Sequence, residues 1–360
     1  MIETPRPSAL SLAAVRPVQV QVISTDGQRP LRERVQVTEV LRAPLAAGQV
    51  RIGMLAMAIN PADLLQMEGR YGVQPQLPYV PGHEGVAVVL EVAPDIADLA
   101  PGDRVLPMGS GGWWADERIV SRRQLVPVSG NSDVLQCAML TANPATAWVL
   151  LRHMCTLQRG DWVVQNAANS ALGQCVRQLA TPLGLRVLNL VRRADAVGQA
   201  DTADSAWIVD TAADLPLLRA KVEQATQGAA VPLALDAVGG EASQALAQCL
   251  SDGATLVVFG LMSGLPCQIA AHDLVFRALQ VRGFWLASWF SSADNRSKAK
   301  SLYPELVAMV ESGALRMDVE AVYPLGQVHE AIAHAARPGR SGKVLLQGDW
   351  MKFLNQPLVW

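Results

Sequence analysis

From Val18 to about Val128 the apolar residues come in short runs separated by turn residues: Val18–Ile23, Val35–Leu41, Val50–Ile59, Gly85–Val92, Arg104–Leu106 and Glu117–Val126. Such runs, bounded by glycine, proline and aspartate, read as strands, so this stretch predicts a β-rich, barrel-like domain. After Ser129-Gly-Asn-Ser-Asp133 the period lengthens to that of a helix, through Val134–Leu140 and Thr146–Met154. Short apolar runs at 162–164, Leu185–Val191, Trp207–Val209, Leu233–Leu235, Thr255–Phe259 and Gln280–Leu286 then alternate with helical stretches such as Asp214–Gln224 and Glu241–Leu250. That alternation predicts a parallel, doubly wound sheet of six strands. A long helix near Asn295–Ser312 and the pieces Ala321–Tyr323, Gly326–Ala335 and Gly342–Gln347 are expected to return the chain to the first domain. The fold class is therefore α/β, with a barrel domain over 1–140 and 317–360 and a parallel-sheet domain over 141–316.

The second domain is organised around Asp161–Gln174. Trp162, Val163 and Val164 follow the turn Arg159-Gly160-Asp161, and Ala171, Leu172, Cys175, Val176, Leu179 and Ala180 recur at helical spacing. Asn169 or Ser170 is a natural N-cap. The N–H groups and positive dipole end of that helix would face an anion, as in dinucleotide-binding folds. The usual G-x-G-x-x-G is absent and only Gly173 remains, so a plain strand-to-helix turn stays open as the other reading.

Composition narrows the partners. At 360 residues the chain exceeds what one core usually serves, and half of it is hydrophobic, enough for two. A formal charge of -2 and an isoelectric point near 6.2 leave no general field for nucleic acid or anionic membrane. The five cysteines (137, 155, 175, 249, 267) lie singly with no C-x-x-C pair, which argues against a disulfide framework or a cysteine-rich zinc site and points to a reducing compartment. With no apolar leader run and no stretch of about 18 apolar residues, a cytoplasmic protein is expected.

Three places carry candidate chemistry. The second strand of the parallel sheet runs into Asn189-Leu-Val191 and then Arg192 and Arg193. An NAD-binding domain places Asp or Glu there for the ribose hydroxyls. Two guanidinium groups would instead pair with the 2'-phosphate of NADPH, each charge-assisted bond being worth about 1.5–3 kcal/mol, although a solvated basic pair would look the same. Trp113 and Trp114 follow the flexible loop Gly109-Ser-Gly-Gly112, either as core and surface cover or as a substrate-lining pair. Tyr71 stands between Gly69 and Gly72 in the loop after a short predicted helix, Pro61–Met67, outside any apolar run. It can project towards a ligand, or cap the barrel surface.

Ile59-Asn-Pro-Ala-Asp63, Glu68-Gly-Arg-Tyr-Gly72, Pro81-Gly-His-Glu-Gly85, Ala142-Asn-Pro-Ala-Thr146, Gln165–Gln174, Phe259-Gly-Leu-Met-Ser263 and Arg282-Gly-Phe-Trp-Leu-Ala-Ser-Trp289 together resemble the zinc-independent medium-chain dehydrogenase/reductases. Within them the chain is most similar to the mitochondrial-type 2-enoyl thioester reductases, over roughly Val18 to Leu346. The resemblance implies a GroES-like barrel domain beside a Rossmann domain that binds NADPH. It also implies a cofactor cleft lined by Asn143, Asn169, Ser170, Ala171, Leu172, Arg192, Arg193, Phe259, Gly260, Leu261, Met262, Phe284, Trp285, Leu286 and Lys343. Asn60, Trp113 and Trp114 would line the substrate, and Tyr71 would deliver a proton or orient the thioester. The chain departs from that family at His83, where asparagine is usual, at Arg193-Ala194 and at Leu261.

Gly82-His83-Glu84 also looks like the histidine segment of zinc alcohol dehydrogenases, but a catalytic zinc needs three converging ligands. Asn60 stands at the first cysteine position, the second falls near Ala142, and no four-cysteine lobe exists, so no metal is expected and His83 is read as packed or hydrogen-bonded. The expected reaction is NADPH-dependent reduction of an enoyl thioester on coenzyme A or an acyl carrier protein, by hydride transfer to the β carbon and protonation at the α carbon. A quinone or enone reductase of the same superfamily is the nearest rival, and a catalytically idle NADPH-binding protein a more distant one. A homodimer joined through the edge strand near Gln280–Leu286 is expected, since that edge otherwise leaves backbone groups unpaired.

Overall fold

Strands β1 (Val18–Val22) and β2 (Val35–Glu39) pair antiparallel, while β3 (Gln49–Ala58), β4 (Gly85–Val92), β5 (Arg104–Pro107), β6 (Glu117–Ser121) and β7 (Leu125–Val128) belong to a seven-stranded sheet. These come from a computed structural model that describes residues 12, 15–109, 111–193, 204–209 and 214–353. Strand β3 is buried along nearly its whole length, because β4 and β6 flank it and apolar residues cover it on both faces. It therefore reads as a continuous apolar run instead of an alternating one. The predicted run Glu117–Val126 is two strands: Arg122-Arg-Gln124 forms a 3-10 turn between β6 and β7, with the Arg122 guanidinium on Asp98. Helix α1 (Pro61–Met67) follows β3.

The next segment contains α2 (Asn143–His153), β8 (Trp162–Gln165), α3 (Ala171–Leu183), β9 (Arg186–Val191), β10 (Ser205–Val209), β11 (Leu233–Asp236), β12 (Thr255–Val258) and β13 (Gln280–Gly283). All six strands are parallel, in the order β10-β9-β8-β11-β12-β13. Chain order reverses between β8 and β11, which makes that junction the switch point of a doubly wound sheet. Val164, Leu188, Leu235 and Leu256 are among the residues buried along these strands.

Strands β14 (Val319–Pro324) and β15 (Lys343–Gln347) then complete the first sheet, whose order is β14-β15-β3-β4-β5-β7 with β6 on β3. The chain divides into Met1–Ala142 with Tyr303–Trp360, and Asn143–Leu302. The return thus comes at Tyr303, ahead of the expected 317. The long helix expected at Asn295–Ser312 is two pieces, Ala293–Lys298 and Leu302–Glu311. Pro304 accounts for the break: it lacks an N–H and disfavours helix before it, so it is tolerated only in a new first turn.

Candidate functional site

In the first unit a buried polar cluster gathers around α1. The helix starts after Asn60 with Pro61 at its first position, where a missing N–H costs little, and Asp63 at its third. Asp63 is fully buried; its Oδ2 accepts the Asn60 backbone N–H at 2.7 Å, and its Oδ1 lies 2.6 Å from His83 Nδ1. His83 is delivered by the turn Pro81-Gly82, in which Gly82 has φ 103° and takes the Gly112 N–H on its carbonyl at 2.9 Å. A Cβ at Gly82 would overlap the Trp114 ring, so glycine is required there. Tyr71, on the loop after α1, packs its ring edge-on against His83, with centroids 5.1 Å apart and planes at 68°.

Burial pushes the His83 imidazole down, but the Asp63 carboxylate, aided by Glu84, outweighs it and holds the group above its ordinary value. Glu84 is also completely buried. Its Oε1 accepts from Asn60 Nδ2 and its Oε2 from the Ala142 N–H, both at 2.8 Å, with Lys343 Nζ 3.9 Å away. The Lys343 ammonium donates to Asn60 Oδ1, so the Asn60 amide spans a carboxylate and a cation. Burial raises the Glu84 carboxyl, against the pull of Lys343, Asn60 and the Ala142 N–H. Among the described residues no three His, Cys, Asp or Glu side chains are grouped to hold a metal ion. His83 Nδ1 is engaged by Asp63, and the cation beside Glu84 is an ammonium. Zinc does not fit this donor set.

In the second unit the loops that follow the strands leave from one edge of the sheet, because the strands are parallel. Ser170 caps α3, accepting the Gly173 N–H at 3.1 Å, while the N–H groups of Ala171 and Leu172 have no acceptor among the described residues. A Cβ on Gly173 would overlap the Ala168 backbone, and one on Gly260 the Ala237 backbone. Asn166 ties the loop after β8 to that after β11, donating to Asp236 Oδ1 at 2.7 Å and accepting the Ala237 N–H at 2.8 Å. The Phe259 N–H, from the loop after β12, reaches the Asp236 carbonyl at 2.9 Å. Ala167 sits at φ 46°, a left-handed conformation costing about 1–2 kcal/mol in a non-glycine residue, held by this cross-linking. Locked loops, close backbone approach and open amides at a helix N-terminus at the switch point fit a dinucleotide pyrophosphate.

Most residues expected at the cofactor fall on that edge. Asn169, Ser170, Ala171 and Leu172 form the loop and first turn of α3; Arg192 and Arg193 are exposed just beyond β9. Phe259, Gly260, Leu261 and Met262 follow β12, and Phe284, Trp285 and Leu286 follow β13. Asn143 opens α2, which packs on α3. Lys343 is placed otherwise: it belongs to the first unit, 4% exposed, with its ammonium on Asn60. Trp113 and Trp114 are corrected as well. They are 2% and 0% exposed in the barrel core with Val20, Ile52 and Met54, where two large apolar rings are worth more buried than displayed. Asn60 is likewise enclosed, in its polar network. Asp63 and Glu84 escaped sequence reasoning. Asn60-Pro-Ala-Asp63 does carry the spacing of a capping box, but nothing in that spacing points to His83, 20 residues on.

Residues 46–130 match the alcohol dehydrogenase GroES-like domain and residues 207–346 match zinc-binding dehydrogenase, although the zinc of that description does not fit the residues here. The chain is 34% identical over 344 residues to the human mitochondrial enoyl-[acyl-carrier-protein] reductase, covering 94% of this chain and 92% of that protein. It is 32% identical over 314 residues to the Xenopus tropicalis protein of the same name, covering 84% and 87%. Among solved structures, a Bacillus thuringiensis protein described as an NADPH:quinone reductase superposes with a TM-score of 0.80 at 28% identity, over 92% of this chain and 99% of that one. The mitochondrial 2-enoyl thioester reductase heterodimer of Candida tropicalis gives 0.78 at 21%, over 92% and 100%, a likeness of fold. The names of the curated relatives overturn the expected cytoplasmic location, for these are mitochondrial proteins. Unpaired cysteines report a reducing medium and not which compartment provides it. No helix among the described residues is long and apolar enough to cross a membrane. Both units, in their order and along nearly their full length, lead to one assignment: the chain belongs to the medium-chain dehydrogenase/reductases, in the family of the mitochondrial enoyl-[acyl-carrier-protein] reductases.

Proposed function

We propose that this protein reduces the carbon–carbon double bond of a 2-enoyl thioester, carried on coenzyme A or an acyl carrier protein, with NADPH. The parallel-sheet unit is the dinucleotide domain and the barrel unit the catalytic one. NADPH supplies the hydride that reaches the β carbon. The open N–H groups of Ala171 and Leu172 would hold the pyrophosphate, and Arg192 and Arg193 the 2'-phosphate. Phe259–Met262 and Phe284–Leu286 would flank the dinucleotide. Tyr71 delivers its phenolic proton to the α carbon as the enolate collapses. The observation that carries this reading is Tyr71 itself, a loop tyrosine kept out of the core and packed on a carboxylate-held histidine. Steady oxidation of NADPH by purified protein with crotonyl-CoA, yielding butyryl-CoA, is the expected result.

A quinone or enone reductase is the second reading, favoured by the likeness to the Bacillus thuringiensis protein. Turnover with quinones and none with crotonyl-CoA or a crotonyl carrier protein would establish it instead. The working form is proposed to be a homodimer. Strand β13 ends the parallel sheet with all four residues exposed, Val281 among them, and exposed Val275 and Phe276 precede it in the chain, a combination that a second copy would cover.

A further inference from the structure

His83 presents one ring nitrogen to a partner and keeps the other open. Nδ1 lies 2.6 Å from Asp63 Oδ1, and Asp63 is itself immobilised by the Asn60 N–H at the start of α1. Nε2 has no partner among the described residues, and the side chain is 21% exposed. The Tyr71 ring rests on that same imidazole. A carboxylate fixing one nitrogen while the other faces outwards is the arrangement of an acid–base dyad, because it sets both tautomer and ring orientation.

Resting on the enoyl-thioester reading, we propose that His83 is a positioning residue for proton delivery: held by Asp63, its imidazolium replaces from Nε2 the proton that Tyr71 gives to the α carbon, directly or through one water. The balance is complete. The hydride and its electron pair enter the β carbon and leave NADP+; a C–H bond forms at the α carbon as the Tyr71 O–H bond breaks; the Nε2–H bond of His83 breaks to restore that O–H. Neutral His83 then regains its proton from solvent at its exposed edge.

The charges around His83 favour this role. Asp63 on α1 and Glu84 next in the chain stabilise the imidazolium; Lys343 on β15 faces Glu84; Tyr79, half-buried with its hydroxyl enclosed and without a hydrogen-bond partner among the described residues, stands near Asp63; and Tyr71 covers the ring. Burial opposes protonation but loses to the carboxylates, so the folded imidazole titrates above its ordinary value. The donating form therefore persists above the ordinary imidazole value, and turnover falls as pH rises through the raised one.

The test is kcat against pH with saturating crotonyl-CoA and NADPH, for wild type, His83→Asn and His83→Gln. Asparagine keeps an N–H for Asp63 and cannot donate as an acid. The expected result is an alkaline fall in the wild type that both variants lose, with kcat at neutral pH lower by about tenfold or more and KM values within about twofold. Adding His83→Asn to Tyr71→Phe should cost little further, since the two act in series. A wild type with no alkaline fall, or variants that retain the fall and the rate, would overturn the proposal. Failure of wild type to reduce any enoyl thioester would instead overturn the reading on which it rests.

Discussion

Tyr71 and Trp114 lie close in space to the same turn, Pro81-Gly82-His83, yet they answer to different demands. Tyr71 is half-buried on a glycine-flanked loop, and its ring packs on His83. Replacing it by phenylalanine keeps that packing and removes one hydroxyl. Tyr71→Phe is expected to lower kcat for crotonyl-CoA by at least about tenfold while KM for NADPH and the thermal midpoint stay near wild type. Steady-state kinetics beside a melting curve checks this, and an unchanged kcat would remove Tyr71 from the mechanism. Trp114 fills the barrel core under Gly82. Trp114→Ala should cost about 3–5 kcal/mol of stability, read from the urea midpoint. The glycines around Tyr71 made its place on a loop outside the core legible in the sequence. The tryptophan pair was only half legible, because a loop beside two large apolar residues fits display and burial equally. The Asp63–His83 pair was not legible at all, since helix and turn are brought together by the fold of the barrel.

At the scale of elements, apolar runs located the strands of both sheets to within a few residues, because a strand's neighbours demand apolar side chains wherever it is enclosed. Where local chemistry competes with that demand the reading slipped: Arg122 drawn to Asp98 interrupts one strand, and Pro304 divides one helix. The strand, turn and helix from β8 to α3 were readable despite the missing glycines, since within that turn Gly173 occupies the point of closest backbone approach. The basic pair beyond β9 is the element's chemical ending. Arg192→Ala with Arg193→Ala is expected to raise KM for NADPH by roughly ten- to hundredfold, the equivalent of one charge-assisted bond of about 1.5–3 kcal/mol, and to leave KM for NADH nearly unchanged. An equal effect on both cofactors would show that the pair is merely solvated.

For the whole molecule, the parallel sheet ends at β13, whose outer edge pairs with no strand among the described residues. Light scattering at micromolar concentration should give a mass of two chains, and a lysine at Val281 should drive it towards one by burying a charge where two edges meet. A wild-type monomer would count against the homodimer. The two-unit division was visible in the change of hydrophobic period near residue 130, whereas the return at Tyr303 was hidden because a helix carries the chain across it.

Lys343 gives this division a history as well as a shape. Its ammonium meets an asparagine 283 residues earlier in the chain, beside a carboxylate that is otherwise buried without a cation. On a ribosome, Asn60 and Glu84 emerge long before Lys343 and β15 exist. The second unit is continuous in sequence and can close as soon as it is made. The barrel must wait with the edge of β3 uncovered and Glu84 lacking its counter-charge. The part of the molecule that is started first is the part that is finished last, and during that interval the nascent barrel is the segment on which a chaperone or a protease would act.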